Sequence, residues 1–343
     1  MDNFAEYKKL GEPDKLKKLE NWRVAIGLQQ VDGLTPSNYL DELAKDNIEG
    51  KISIEDAERQ ITAYYKNNPP KTSAEQQKQE ADEVSTRISK LLSKNTFSLN
   101  PAELVAIHKY LFTGILDAKI AGKIRKYDIS KDEPVLNGDT VSYGRADSIR
   151  ETLTYDFEKE KTFKYNGLSR QEKINHIVKF MSDIWQIHPF GEGNTRTVAV
   201  FIIQYLRMLG FKADNALFEE NSLYFRNALV RANYQNLEHG IYYTMEYLHK
   251  FFGNLLLGEK NILRNRDLQL MIGKVDNKKS PKKTRDKVLE LIAAQPDVSV
   301  AEMAGKLKLS VAGARWNIEQ LKAEGTIRRK GARKTGEWEI IKN

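Results

Sequence analysis

The nine residues His188-Pro189-Phe190-Gly191-Glu192-Gly193-Asn194-Thr195-Arg196 bring together a base, a carboxylate, two glycines, an amide and a guanidinium. An imidazole with an ordinary pKa near ~6.5 can serve as a general base at neutral pH. Glu192 can hold Mg2+, a hard cation that takes one or two carboxylates together with phosphate oxygens. Asn194 can donate to a phosphate oxygen, and Arg196 can fork onto two. Gly191 and Gly193 permit a tight loop and a close approach of a ligand to the backbone. Such a set suits attack of a hydroxyl on a nucleotide phosphate, with positioning and electrostatics carrying the catalysis.

Two helices must position this loop. Upstream, Gln171 to Ile187 (QEKINHIVKFMSDIWQI) has apolar residues at helical spacing. Pro189 disfavours helical backbone at His188, so the spacing predicts a helix that ends there. Downstream, Thr197 to Leu209 (TVAVFIIQYLRML) is apolar almost all round, the pattern of a buried helix. The loop therefore leads into a helix N-terminus, whose free N–H groups and positive dipole favour an anion.

The stretch resembles the signature of the Fic (Fido) family, His-x-Phe-x-Asp/Glu-Gly-Asn-Gly-Arg-x-x-Arg. Most of that family are protein adenylyltransferases, which move AMP from ATP to a Ser, Thr or Tyr hydroxyl of a target protein. The resemblance implies His188 as the base, Glu192 as the Mg2+ ligand and Phe190 as a buried plug. It makes Asn194 and the Gly193 backbone the anion cradle and Arg196 a phosphate clamp, with Gly191 and Thr195 beside the nucleotide. The family's domain would cover roughly residues 80–255. Two positions depart from the signature: Thr195 stands at the second Gly, and Ala199 stands at the second Arg, which in the family holds the γ-phosphate. A β-branched residue tolerates positive φ poorly, so either the loop differs or Thr195 starts the helix. Arg226 or Arg231 could replace the missing Arg in space. Doc-type relatives have Lys at the position of Thr195 and transfer phosphate, and others transfer UMP or phosphocholine. AMP transfer, to a target and to the enzyme itself, is the leading expectation, and another phosphate-linked group is the alternative.

The chain has 343 residues and no cysteine, so it has no disulfide and no thiolate metal site, which fits a reducing cytoplasm. Residues 1–16 lack an apolar signal core, and the longest apolar run, Val198 to Ile203, is far short of a membrane span. The net charge of +8 is uneven: residues 261–343 hold 19 Lys/Arg and 10 Asp/Glu, and the remainder hold 36 and 37. A basic terminal module points to nucleic acid or acidic partners.

Residues 1–66 read as a helical module: Lys15 to Val31, Asn38 to Asn47, and a third helix from the capping-box start at Ser53 through Tyr65. It resembles the antitoxin-like module of many Fic enzymes, where a Ser/Thr-x-x-x-Glu-Gly/Asn helix pairs its Glu with the second Arg of the signature. The best match is Leu28-Gln29-Gln30-Val31-Asp32-Gly33, so Asp32 and Gly33 read as a remnant of the inhibitory motif. With Ala199 in place of the partner Arg, the expectation is an unrestrained enzyme whose N-terminal helices serve mainly as packing.

Residues 67–80 are a linker. Between Pro134 and Val141, Asn137-Gly138 lies among β-formers, a hairpin signal. Fic enzymes carry a short hairpin flap ahead of the signature that aligns the target by strand addition. Val135, Leu136, Asn137 and Gly138 take that role here. In the family, the helix after the signature helix lines the base and ribose. On Leu223 to Asn236, this makes Tyr224, Asn227 and Asn233 the nucleotide candidates. His108, His176, His239 and His249 read as structural.

Residues 259–283 are a helical and basic linker. Residues 284–343 resemble a winged helix-turn-helix: helices at Thr284–Ala294, from Ser299, and at Ser310–Glu324, then two strands around a basic loop. Ser310, Arg315 and Asn317 would face DNA from the recognition helix, and Arg328, Arg329, Lys330, Arg333 and Lys334 would contact phosphates from the wing. The expected fold is mostly α: a helical module, a Fic-type catalytic domain at 81–258 with a β-hairpin flap, and a winged helix. The expected enzyme takes ATP and Mg2+, acts on a protein hydroxyl, is cytoplasmic and has no membrane segment. A homo-oligomer and a role in a toxin–antitoxin pair, with the C-terminal module repressing its own operon, are compatible with this. A DNA-binding regulator with a weak or inactive Fic domain is the competing reading.

Overall fold

The computed structural model describes residues 13–94, 96–211, 216–270, 284–307, 309, 311–323, 326–330 and 336–341. The chain divides into two units, residues 1–272 and 273–343.

In the first unit, helix α1 (Pro13–Gly27) passes into a 3-10 turn, Leu28–Asp32, and stops where Gly33 takes φ 70°. Helix α2 (Asn38–Ile48) starts at Ser37, whose side chain accepts from Leu40 N. Helix α3 (Ile54–Asn67) starts from a complete capping box between Ser53 and Asp56. Leu19, Trp22, Leu40, Leu43, Ile48 and Ile61 bury a small core among these three helices. Helix α4 (Ser73–Ser93) ties them to the rest of the unit. Its buried Asp82 accepts from Ser37 N at 2.8 Å and from the Tyr65 hydroxyl at 2.6 Å. Val24, Ala25, Leu28 and Val31 belong to the main core, so the N-terminal helices share an interior with the larger helical body.

That core surrounds helix α8 (Asn194–Met208), in which every residue from Asn194 to Leu206 is buried. Helix α8 packs on α4, α5 (Pro101–Phe112) and α7 (Arg170–Ile187), while α6 (Ile149–Thr162) lies against α5 and α7, and α9 (Ala216–Ala232) carries α10 (Glu246–Leu257) and α11 (Asn265–Leu268). The all-round apolar sequence of α8 is thus the centre of the unit, as its pattern predicts. Helix α7 presents Ile174, Ile177, Met181, Ile184 and Trp185 inward, one helical face.

The segment expected to form a hairpin flap has no strand among the described residues. Pro134–Leu136 is a 3-10 turn, followed by Asn137 at φ 59° and Gly138 at φ 91°. The Asn-Gly pair does make the tight turn, and Glu133 N donates to Asp139 O at 2.9 Å across it. A ladder fails for a local reason. Val135 and Leu136 are adjacent yet both buried, whereas a strand would send them to opposite faces. Val135 O instead accepts from Leu270 N at 2.8 Å. Val135 and Leu136 are therefore core residues and not free flap residues.

The second unit contains α12 (Thr284–Ala294), α13 (Val300–Leu307), α14 (Val311–Ala323) and strands β1 (Ile327–Lys330) and β2 (Glu337–Ile340). The strands pair antiparallel, Ile327 opposite Ile340. Val288, Ile292, Met303, Ile318, Leu321 and Trp338 form its core, and Trp338 Nε1 donates to Val298 O at 3.1 Å. This is the three-helix and hairpin order expected of a winged helix.

Candidate active site

The loop between α7 and α8 is fixed from below. Helix α7 ends at Ile187, and His188 takes the left-handed conformation, φ 51° and ψ 61°. Few residues other than Gly adopt this conformation, His among them, at a cost of about 1–2 kcal/mol. A single buried guanidinium holds the turn. Arg125 donates through Nε to His188 O at 2.8 Å, and through its terminal nitrogens to Ile187 O at 3.1 Å, Tyr127 O at 2.7 Å and Gly144 O. Arg125 N also donates to Pro189 O at 2.9 Å.

The rest of the loop closes on itself. Asn194 donates through Nδ2 to Phe190 O at 2.8 Å and accepts from Phe190 N at 3.0 Å. The expected phosphate donor is thus a loop clamp, with its amide closed on the backbone. Phe190 is fully buried and stacks on His108, ring centres 3.8 Å apart. His108 Nδ1 accepts from Gly122 N at 2.8 Å, so its proton sits on Nε2, which donates to Glu192 O at 2.9 Å. Burial pushes His108 down to about 4 and keeps it neutral, in keeping with its structural reading.

Gly193 is the N-cap of α8 at φ 72°, and no side chain caps the helix. A Cβ there would lie 2.5 Å from the Phe112 ring, so only glycine fits. The first-turn N–H groups of α8 are left for an anion. Thr195 lies in the first turn of the helix, where no positive φ is needed, which resolves that departure from the signature. Its side chain is buried, and Oγ1 accepts from Trp185 Nε1 at 3.0 Å.

His188 opens this loop. Its ring is 3% exposed and lies against Tyr143, ring centres 4.2 Å apart. Nδ1 lies 3.2 Å from Trp185 O, a pure acceptor, so Nδ1 carries the proton and Nε2 carries the lone pair. Nε2 is buried and has no hydrogen-bond partner among the described residues. Burial, then the cations Lys131, Arg125 and Arg226, hold this imidazole well below its ordinary pKa. Tyr143 donates to the buried Glu133 at 3.0 Å, and Arg226 donates to the same carboxylate at 3.2 Å and makes an ion-pair contact with its other oxygen at 2.8 Å.

Arg196 is 3% exposed and fully engaged. It donates to Gln29 Oε1 at 3.0 Å and to Glu80 Oε1 at 2.6 Å, and its guanidinium stacks 4.8 Å over Phe112. Its Nε lies 2.8 Å from Asp32 Oδ2, close enough for an ion pair but out of line for a hydrogen bond. The expectation that Asp32 is left without an arginine is therefore corrected: with Ala199 buried in the core, Asp32 reaches Arg196 instead. Glu192 is exposed, and its carboxylate makes no hydrogen bond or ion pair among the described residues. No cluster of three His, Cys, Asp or Glu suited to a metal occurs among the described residues.

The nucleotide candidates on α9 fare differently. Tyr224 is 1% exposed within the core, and Asn227 donates to Asn265 at 2.8 Å. Tyr224 packs edge-on against Tyr247 of α10, and Asn227 is tied to the start of α11. Asn233 lies beyond the helix, donates to Ser182 Oγ at 2.9 Å and lines a cavity of about 410 Å3 with Gln186, Ser142 and Tyr234. Neither arginine proposed to replace the missing one is placed to do so: Arg226 is paired with Glu133, and Arg231 is buried with its ring neighbour Tyr247 6.0 Å away. In the second unit, Arg328 pairs with Glu339 at 2.6 Å, and Arg329 stacks on Trp338 and donates to Gly336 O. Both are held by their own hairpin, while Arg315 and Lys330 are exposed. Asn317 lies on α14, and Ser310, Arg333 and Lys334 lie outside the described residues. No helix among the described residues is long and apolar enough to cross a membrane.

Residues 98–206 match the Fic/DOC family, and residues 282–328 match the family described as winged helix-turn-helix DNA-binding. Over 108 residues the chain is 33% identical to the protein adenylyltransferase VbhT of Bartonella schoenbuchensis, covering 32% of this chain and 21% of that protein. The chain thus spans about a fifth of the length of the curated relative it matches. Among solved structures, a Fic domain-containing signalling protein of Bacteroides thetaiotaomicron gives a TM-score of 0.46 at 13% identity, covering 72% of this chain and 84% of that one. A Fic family protein of Desulfovibrio desulfuricans gives 0.44 at 15% identity, covering 99% and 91%. The chain carries a Fic/DOC family domain at residues 98–206 and a winged helix-turn-helix at residues 282–328.

Proposed function

We propose that the Fic/DOC domain transfers AMP from ATP to a hydroxyl of a target protein. The observation that carries this reading is the neutral His188 Nε2, buried and without a partner among the described residues, beside the uncapped N-terminus of α8. A buried acceptor left without a donor is costly, and an incoming hydroxyl satisfies it. The hydroxyl oxygen attacks the α-phosphorus of ATP, and its proton passes to His188 Nε2. The bond from the α-phosphorus to the bridging oxygen breaks, and pyrophosphate leaves with the electron pair. The first-turn N–H groups of α8 hold the phosphate charge. The described adenylyltransferase activity of VbhT supports ATP as the donor.

Glu192 suits Mg2+ by chemistry: it is an exposed carboxylate without a competing cation among the described residues. One carboxylate is what Mg2+ takes when nucleotide phosphates complete its shell, so the lack of a larger acidic cluster is no obstacle. Bound there, the ion neutralises phosphate charge.

The N-terminal helices act on this site through Arg196. Asp32, Glu80 and Gln29 occupy the directions a phosphate would use. The clamp is therefore altered rather than lost.

The C-terminal unit is a DNA-binding module in this reading. The observation favouring it is the exposed Arg315 on α14, the helix after the turn, within the matched segment.

With ATP labelled at the α-phosphate, label should move to protein, and His188→Ala should reduce it by about 10²–10⁴-fold. Transfer of label from the γ-phosphate instead would assign phosphoryl transfer. In the kcat/KM profile, activity is lost as pH falls and His188 takes a proton. Because its pKa in the free enzyme is depressed, that acid limb should lie below pH ~6.5. A limb centred above that value would remove the buried imidazole from the role of base. Joint Asp32→Ala and Glu80→Gln substitution should lower KM for ATP several-fold; an unchanged KM would show that Arg196 takes no part in phosphate binding. Arg315→Ala should weaken binding to duplex DNA and lower its salt dependence, and unaltered binding would count against α14 as the reading helix.

A further inference from the structure

The hydroxyls that the structure places against the active-site loop can be compared one by one. Thr195 Oγ1 is buried and accepts from Trp185. Thr197 Oγ1 donates to Gly193 O at 2.8 Å inside α8. Tyr143 lies over His188 but donates to Glu133 at 3.0 Å. Tyr127 is different. Its side chain is 55% exposed, and its hydroxyl makes no hydrogen bond among the described residues. That hydroxyl stands over the loop itself: a Cβ on Gly191 would come within 2.7 Å of it. Gly191 lies between His188, the base, and Glu192, the metal-binding carboxylate.

The backbone of Tyr127 is fixed by the same group that fixes the base. Arg125 Nη1 donates to Tyr127 O at 2.7 Å, while its Nε donates to His188 O at 2.8 Å. One guanidinium therefore sets the position of the tyrosine backbone and of the imidazole. A backbone held by the group that also holds the base keeps this residue beside the loop, which lessens the entropy that a bimolecular encounter must surrender.

We propose that Tyr127 is a modification site: its phenol is the acceptor that this domain labels in cis. This rests on the AMP-transfer reading above and adds the acceptor residue to it. In the step, Tyr127 Oη forms a bond to the α-phosphorus of ATP, the bond to the bridging oxygen breaks, and pyrophosphate departs with the electron pair. The phenolic proton passes to His188 Nε2. The product is a tyrosyl-AMP ester standing over Gly191, where it covers the mouth of the loop. Such an ester stops further turnover at that mouth, so the modified enzyme is expected to label other proteins more slowly.

The test uses the full chain with α-labelled ATP and Mg2+, followed by fragmentation mass spectrometry to locate the adduct. Expected are one AMP on Tyr127, its loss in Tyr127→Phe, and a labelling rate per molecule that does not change on dilution. The phenylalanine variant keeps the ring, and the residue is exposed, so it should fold as the wild type does. A label elsewhere in the wild type, or a Tyr127→Phe protein labelled as fully as the wild type, overturns the proposal. A rate that falls with dilution places the acceptor on another copy and overturns the cis assignment. Release of pyrophosphate or AMP from ATP without any self-label overturns this proposal alone and leaves AMP transfer standing. If ATP is not cleaved at the α-phosphate at all, both fail together.

Discussion

One buried cation organises the site. Arg125 binds the carbonyls of Tyr127, Gly144, Ile187 and His188, and its own N–H binds Pro189 O. Burying a guanidinium carries a large desolvation cost, which is offset when each N–H finds an acceptor. Hydrogen bonds to a charged group contribute about 1.5–3 kcal/mol each, so four of them outweigh the roughly 1–2 kcal/mol of backbone strain at His188. The left-handed turn at the base therefore persists because the segment before it supplies a fixed charge. Without that charge, helix α7 would end on a different backbone and the imidazole would face elsewhere.

Around this brace, the loop is built from contacts that leave little freedom. Asn194 closes a two-way pair on Phe190, Phe190 stacks on a neutral His108, and His108 holds Glu192 O. Gly193 meets Phe112 so closely that no side chain fits. The consequence is a division of labour within a short stretch. The buried residues Phe190, Asn194 and Thr195 shape the loop, and that shape leaves Glu192 exposed and His188 Nε2 without a partner among the described residues. Preorganisation of this kind is what electrostatic catalysis requires.

The parts legible in the sequence are those whose physics is local. Helix α8 is readable from its unbroken apolar run, the end of α7 from Pro189, the capping boxes of α3 and α7 from Ser-x-x-acid spacing, and the turn at Asn137-Gly138 from its residue pair. The signature residues are recognisable as a set. The features hidden from the sequence depend on contacts across the chain. Arg125 meets His188 across 63 positions, and Gln29 meets Arg196 across 167. Nothing in the spacing of Gly122-Lys123-Ile124-Arg125 marks that arginine as the brace. The flap misleads for the opposite reason. Its β-forming residues reflect burial in the core, since Val135 and Leu136 pack inward side by side. Tyr224 misleads in the same way, because an aromatic at helical spacing is chiefly a core residue.

The two departures from the family signature have a single structural logic. Thr195 does not need a positive φ because the left-handed residue is Gly193, one step before the helix. Its hydroxyl then locks α8 to Trp185 on α7, which stiffens the junction. Ala199, one turn further on, is buried at the level of the core, where a second arginine would need its own carboxylate. The carboxylates of the N-terminal helices and of α4 turn instead to Arg196. Moving the ion pair one turn towards the helix N-terminus brings it onto the anion-binding end of α8, where the dipole already favours negative charge. Asp32 and Glu80 are thus stabilised by the field at that helix end, the field that a phosphate would use in the proposed reading. Arg196 thereby ties the N-terminal helices directly to the first turn of α8.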